Sequence, residues 1–298
     1  MILETRYDAL VDTVELLYNE GNLRGALGLL ATERDGLEAW TAELAHLEAC
    51  LLGASGEADA ALQTLQDASA TGSWWDPSIL TDDDDLAALQ DRPEFKQLVE
   101  VSRGRVEEDP APALVEVPVI PLAGVVVALH GAGQGASHAR RDWTGVLELG
   151  YALVCVESSQ RMSPKYRTWP DREKAIGDIT RALGELPDEL TGVPIIAAGF
   201  SAGARAALDW ALTARPTQPA GALLMAPALR ELPTAASGKL SPATIWIGTE
   251  DDLLEVVADA EERLTAFGCT IERVPGLGHT FPADFAGRLK GTLRTAGE

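Results

Sequence analysis

The stretch PIIAAGFSAGARAALDWAL, residues 194–212, changes character in its middle. Residues 194–199 form a short apolar run with isoleucines, which predicts a strand, and the alanine-rich residues from Ala202 onward predict a helix over 202–214. Between them stands Gly199-Phe200-Ser201-Ala202-Gly203. A serine on a sharp strand-to-helix turn needs small neighbours, because a Cβ on either side would strike the crossing backbone. The helix that follows points its N-terminus at the serine and favours negative charge developing there.

Other strands flank this one. Runs at 114–119, 124–129 (GVVVAL), 152–157 (ALVCVE), 221–225, 244–248 and 270–274 are short and mostly apolar without alternation. That pattern predicts strands covered by helices on both faces. Helices are expected near 138–149, 171–186, 252–267 and 283–295. Alternating strands and helices imply a doubly wound, mainly parallel α/β sheet, whose ligands bind at the carboxyl ends of the strands.

Three further motifs lie at such ends. Leu129-His130-Gly131-Ala132-Gly133 closes the GVVVAL strand with small residues that let amides turn toward the serine. An oxyanion needs two oriented donors, for which Ala202 supplies one N–H and Ala132 the second. His130 is read as shaping this loop. Asp251 stands three residues after Gly248, which ends the strand TIWIG, placing a carboxylate to orient an imidazole. Its neighbour Asp252 is read as a cap of the next helix and Glu250 as solvent-facing. His279, in Gly276-Leu277-Gly278-His279, is the candidate base on a glycine-rich loop.

The chain order serine, acid, histidine, with the elbow and the oxyanion loop, resembles the α/β-hydrolase superfamily over about residues 112–298. Dienelactone-hydrolase-like and carboxylesterase or phospholipase-like members are the most similar. The resemblance implies a serine hydrolase of carboxylic esters with Ser201 as nucleophile, Asp251 as acid, His279 as base, and Ala132 and Ala202 as oxyanion positions. A serine peptidase or thioesterase on the same fold is the enzymatic alternative. A non-catalytic helical-repeat adaptor with a hydrolase scaffold is the alternative of another class. Within Ser158–Asp171, Arg161, Tyr166 and Trp169 are candidate substrate contacts, with Trp169 as a loop anchor the competing reading.

Residues 1–110 differ from the rest. They hold 24 acidic and 7 basic residues, a net of −17, against −5 for residues 111–298. Pro110, Pro112, Pro118 and Pro121 mark the change, and a linker is expected at 104–114. Leu10, Val14 and Leu17 recur at helical spacing before Gly21, and Ala26-Leu27 and Leu30 follow it. The pattern returns 35 residues later around Gly56, with Ala61-Leu62 and Leu65. Paired helices at this period resemble tetratricopeptide repeats, giving an all-α helical-repeat domain over 1–110 and a hydrolase domain over 111–298. A third element, DLAALQDRPEFKQLV, caps the stack with Pro93 opening its last helix.

Asp82–Asp85 reads as a helix cap with first-turn charges rather than a cation site. Trp74 and Trp75 are expected to pack under the following turn or against the second domain, and His46 to be structural or on the surface. The repeat surface suits a protein partner or self-association. A net charge of −22 argues against nucleic acid and anionic membrane surfaces. Three scattered cysteines, Cys50, Cys155 and Cys269, show neither disulfide nor metal spacing. No cofactor or metal is called for, no apolar run spans a membrane, and a cytoplasmic setting is expected.

Overall fold

The computed structural model describes residues 3–232 and 240–295. Its contacts separate two compact units. One comprises the chain to Glu108 together with Arg161–Tyr166, and the other Asp109–Gln160 with Arg167 onward.

The first unit is helical. Helices α1 (Leu3–Asn19) and α2 (Leu23–Glu33) form one hairpin, and α3 (Thr41–Ala54) and α4 (Ala58–Ala70) a second. Gly21 and Gly56, related by the 35-residue offset, turn both hairpins at φ of +73° and +79°, a conformation glycine adopts without strain. Asn22 caps α2 by accepting the Gly25 N–H. A short α5 (Pro77–Thr81), a 3₁₀ turn over Asp84–Leu89 and α6 (Pro93–Arg103) complete the unit. Asp83 caps the 3₁₀ turn by accepting the Asp85 N–H, and Pro93 opens α6. Trp75 is fully buried among these helices and its indole N–H donates to the Ala42 carbonyl at 2.9 Å.

The boundary expected from the sequence needs one correction. Arg161–Tyr166, although in the middle of the hydrolase sequence, belongs to the helical unit. The buried Glu43 carboxylate accepts the Ser163 hydroxyl and the Lys165 N–H, both at 2.6 Å. The Asp76 N–H donates to the Met162 carbonyl. These bonds satisfy polar groups that a buried helix face would otherwise strand.

The second unit holds one seven-stranded sheet: β1 (Leu114–Glu116), β2 (Gly124–Leu129), β3 (Tyr151–Val156), β4 (Ile195–Phe200), β5 (Gly221–Met225), β6 (Ala243–Gly248) and β7 (Thr270–Val274). Their spatial order is β1-β3-β2-β4-β5-β6-β7, with β1 antiparallel and all other pairs parallel. Every residue of β2 and β5 is buried, as covering helices require. These are α7 (Ala136–Trp143), α8 (Arg172–Gly184), α9 (Ser201–Thr213), α10 (Leu254–Asp259), α11 (Glu261–Ala266) and α12 (Phe285–Thr295).

Two helices are shorter than their periodicity. After α7 the chain tightens into a 3₁₀ turn closed by Gly150 at φ +86°, and the run over 252–267 divides at Ala260. Strand β1 stops at Glu116, short of Pro118, which has no N–H to give to a ladder. Among the described residues no helix is long and apolar enough to cross a membrane.

Candidate active site

The parallel register sets Leu129 of β2 opposite Gly199 of β4, and Gly199 opposite Leu224 of β5. The turns after β2 and β4 therefore emerge side by side. Ser201 is the first residue of α9 and sits at φ +52°, a region that costs a non-glycine residue roughly 1–3 kcal/mol. The surrounding backbone over-determines it. A Cβ on Gly199 would lie 2.5 Å from Gly203, and one on Gly203 would lie 2.3 Å from the Leu129 and His130 carbonyls. Both glycines are thus required by close approach. The second contact also sets the loop after β2 close against the serine turn.

Asp251 and His279 come from neighbouring turns that are hydrogen-bonded together. Thr249 N–H donates to the Val274 carbonyl, Glu250 N–H to that of Leu277, and Gly276 N–H to the Thr249 hydroxyl. The crossing is so close that a Cβ on Gly248 would stand 1.9 Å from the Leu277 oxygen. This brings Asp251 Oδ2 to 2.9 Å from His279 Nδ1. Asp251 Oδ1 accepts the Leu253 N–H at 2.8 Å, so the buried carboxylate is satisfied on both oxygens. No described hydrogen bond engages the other ring nitrogen of His279, Nε2. Phe200, the residue before Ser201, packs against the His279 ring with centroids 4.8 Å apart. Asp252 is exposed, and the helix it was expected to cap begins instead after Leu253 with no side-chain cap.

Two hydrogen bonds hold the loop after β2. Gly131 N–H donates to the Gln134 side chain, and Gly133 N–H donates to the Arg167 carbonyl. The Arg167 guanidinium pairs with Glu157 and Asp109. Arg167 and Glu157 went unnoticed in the sequence because no motif surrounds them; they are positioning residues brought in from β3 and the loop after it. Among the described contacts, the Ala132 and Ala202 N–H groups have no protein acceptor. Both amides remain available to an oxyanion.

His130 is buried with both nitrogens engaged. Nδ1–H donates to the Gly131 carbonyl at 2.7 Å, and Nε2 accepts the Ser158 N–H at 3.3 Å. Burial pushes its pKa down to about 3, against ~6.5 when unfolded. The unfolded chain therefore binds the extra proton between these values. The stability from neutral His130 is complete above pH ~6.5 and is lost progressively as pH falls toward about 3. The shift corresponds to roughly 5 kcal/mol. His130→Asn should flatten the fall of the urea midpoint between pH ~6.5 and ~4.5; a slope as steep as wild type would show that His130 does not carry it.

The three candidate substrate contacts have the following partners. Trp169 is fully buried, with its indole N–H donating to the His130 carbonyl at 2.8 Å and its ring against the His130 imidazole. It anchors the loop from below rather than facing substrate. Arg161 lies over the Trp74 ring and donates to the Pro164 carbonyl, and Tyr166 lines a cavity of the helical unit. The partners of both are helical-unit residues, because the segment that carries them is hydrogen-bonded to Glu43 and Asp76.

Comparison with known proteins agrees with this architecture. Residues 6–110 match the family model described as A/B hydrolase-like, N-terminal domain. An uncharacterized protein from Bacillus cereus is similar over 97% of this chain and 98% of its own, at 23% identity and a TM-score of 0.52. The structure of esterase PE8 is similar over 62% of this chain and 98% of its own, at 18% identity and a TM-score of 0.50. No curated protein matches the sequence. The chain therefore has the α/β-hydrolase fold, preceded by a helical domain whose residues 6–110 match the A/B hydrolase-like N-terminal model.

Proposed function

We propose that this protein is a serine hydrolase of carboxylic esters that works through an acyl-enzyme on Ser201. The observation that carries the reading is the 2.9 Å bond between Asp251 and His279 Nδ1, made beside a serine held at positive φ. With its Nδ1–H donated to the carboxylate, His279 presents Nε2 as the base. Ser201 Oγ attacks the ester carbonyl carbon while its proton passes to Nε2. The carbonyl π electrons move to oxygen, and the Ala132 and Ala202 N–H groups stabilise that charge. Collapse expels the alcohol, which takes the proton from His279. Water, deprotonated by the same nitrogen, then releases the acid and restores Ser201. The Asp251 carboxylate orients the ring and stabilises the imidazolium. The likeness to a structure named an esterase agrees with this reading at the level of fold.

A fluorophosphonate probe tests it on the full chain. One covalent adduct per chain, absent from Ser201→Ala, is the expected result. An unreactive wild-type protein, or equal labelling of the variant, would overturn the mechanism and favour a scaffold without catalysis. The acid assignment has its own check. Asp251→Asn should lower kcat on a short activated ester on the order of 10⁴-fold through the wrong imidazole tautomer. Exposed Asp252→Asn should stay near wild type. The reverse order of sensitivity would move the acid by one residue.

A further inference from the structure

His46 and Cys50 stand one turn apart on α3 and so project to the same side. Asp83, the cap of the 3₁₀ turn, projects its second carboxylate oxygen between them. The three donor atoms form a triangle. Cys50 Sγ lies 3.6 Å from His46 Nε2 and 3.2 Å from Asp83 Oδ2, and Nε2 lies 3.7 Å from Oδ2. Tetrahedral zinc, with bonds of about 2.3 Å to sulfur and about 2.0 Å to nitrogen and oxygen, separates its ligands by roughly 3.3–3.6 Å. Every edge of the observed triangle is within about 0.4 Å of that requirement.

The surroundings favour a cation independently. His46 and Asp83 line a cavity of about 370 Å³ shared with Glu15, Glu43 and Asp82. Glu43 is 7% exposed, and its Oε2 is buried with no hydrogen-bond partner. Asp85 lies close enough to act on both His46 and Cys50 electrostatically. A buried carboxylate oxygen left unpaired is costly unless positive charge reaches the same space.

We propose that this corner of the helical unit binds a divalent transition-metal ion, zinc by its donor set, through His46 Nε2, Cys50 Sγ and Asp83 Oδ2. Thiolate, imidazole and carboxylate together select zinc-type ions over magnesium or calcium. The fourth position opens on the cavity and is taken by water. Binding exchanges bonds in a defined way. The Cys50 thiol, which otherwise donates to Asp83, loses its proton to solvent as the sulfur–metal bond forms. The His46 ring proton, which on Nε2 donates to the Ile79 carbonyl 3.2 Å away, is given up there and taken on at Nδ1, breaking that hydrogen bond and freeing the Nε2 lone pair for the metal. Asp83 keeps the Asp85 N–H on Oδ1 and coordinates through Oδ2. One proton is released per ion. The site lies wholly in the helical unit and does not depend on the reading of Ser201. His46 and Cys50 are one turn apart, but the third ligand, Asp83, lies 33 residues beyond Cys50, so no spacing motif marks the set. Asp83 acts as the cap expected of it, and that cap is what holds Oδ2 in place.

The test is titration of the chelator-treated full-length chain with Co²⁺. Expected are one equivalent bound, a thiolate-to-cobalt charge-transfer band in the near ultraviolet, and the intense visible bands of a four-coordinate site. Zn²⁺ should abolish these bands and raise the Tm. Cys50→Ser should lose the charge-transfer band. Asp83→Asn keeps a capping oxygen, so the turn survives, yet affinity should fall by more than the ~10–100-fold typical of an outer-shell partner. Weak six-coordinate bands without a thiolate band, in a wild-type chain of native circular dichroism, would overturn the proposal. An unchanged spectrum in folded Cys50→Ser would do the same.

Discussion

Ser201→Ala is expected to lower kcat/KM for a short activated ester on the order of 10⁴-fold or more. The nucleophile has no substitute at its position. Residue 201 is held at positive φ at the start of α9, and on the proposed mechanism alanine there offers the ester carbonyl no lone pair. Binding and the oxyanion donors survive, so a small residual rate over water should remain. The fold should be retained, since Gly199 and Gly203 set the turn and the serine hydroxyl supports no other element. Alanine at φ near +52° keeps the same strain as serine. Steady-state kinetics on the purified variant, with circular dichroism to establish folding, make the check. Turnover near wild type would remove Ser201 from the reaction.

His279→Asn should cost a comparable factor, because general base and nucleophile act as a unit and losing either loses nearly the whole effect. The informative comparison is with His130→Asn. Both histidines lie at the carboxyl edge of the sheet, but only His279 has a carboxylate on one nitrogen and the other left for substrate chemistry. His130 spends both nitrogens on the backbone. On the proposed mechanism His279 accepts the serine proton as a neutral ring, so the acid limb of the kcat/KM profile is expected to follow it. His130→Asn should reduce activity by loosening the oxyanion loop and should leave that acid limb in place. If His279→Asn kept most of its turnover, or the acid limb vanished with His130, the assignment of the base would be wrong.

Much of this arrangement was legible in the chain. Strands such as GVVVAL and PIIAAG carry their own signal, because an apolar run of six residues has few ways to be buried other than in a covered sheet. The serine turn was legible because steric exclusion leaves a mark: two glycines at fixed spacing, each facing backbone within 2.6 Å of where a Cβ would lie. The 35-residue offset of the helical hairpins was legible for a different reason: Gly21 and Gly56 turn at positive φ, where a side chain is strained although the space is open. Asp251 and His279 were legible only as residues of suitable chemistry at strand ends. Their pairing depends on Gly248 letting the two turns cross, a contact across 29 residues.

The remaining features are decided by contacts between distant parts of the chain. Arg161–Tyr166 reads locally as a loop over a sheet edge, yet Glu43, some 120 residues earlier, binds it into the helical unit. Trp169 reads equally well as a substrate contact or an anchor until the His130 carbonyl is seen to accept its N–H. His46, Cys50 and Asp83 are unremarkable singly and meet only because the 3₁₀ turn packs on α3. Local sequence determined the strands, hairpins and serine turn, because backbone sterics and the periodicity of burial act over a few residues. Which distant polar groups satisfy one another was decided by tertiary structure alone, because a buried donor or acceptor takes the partner that packing brings within hydrogen-bond reach, however far away that partner lies in the sequence.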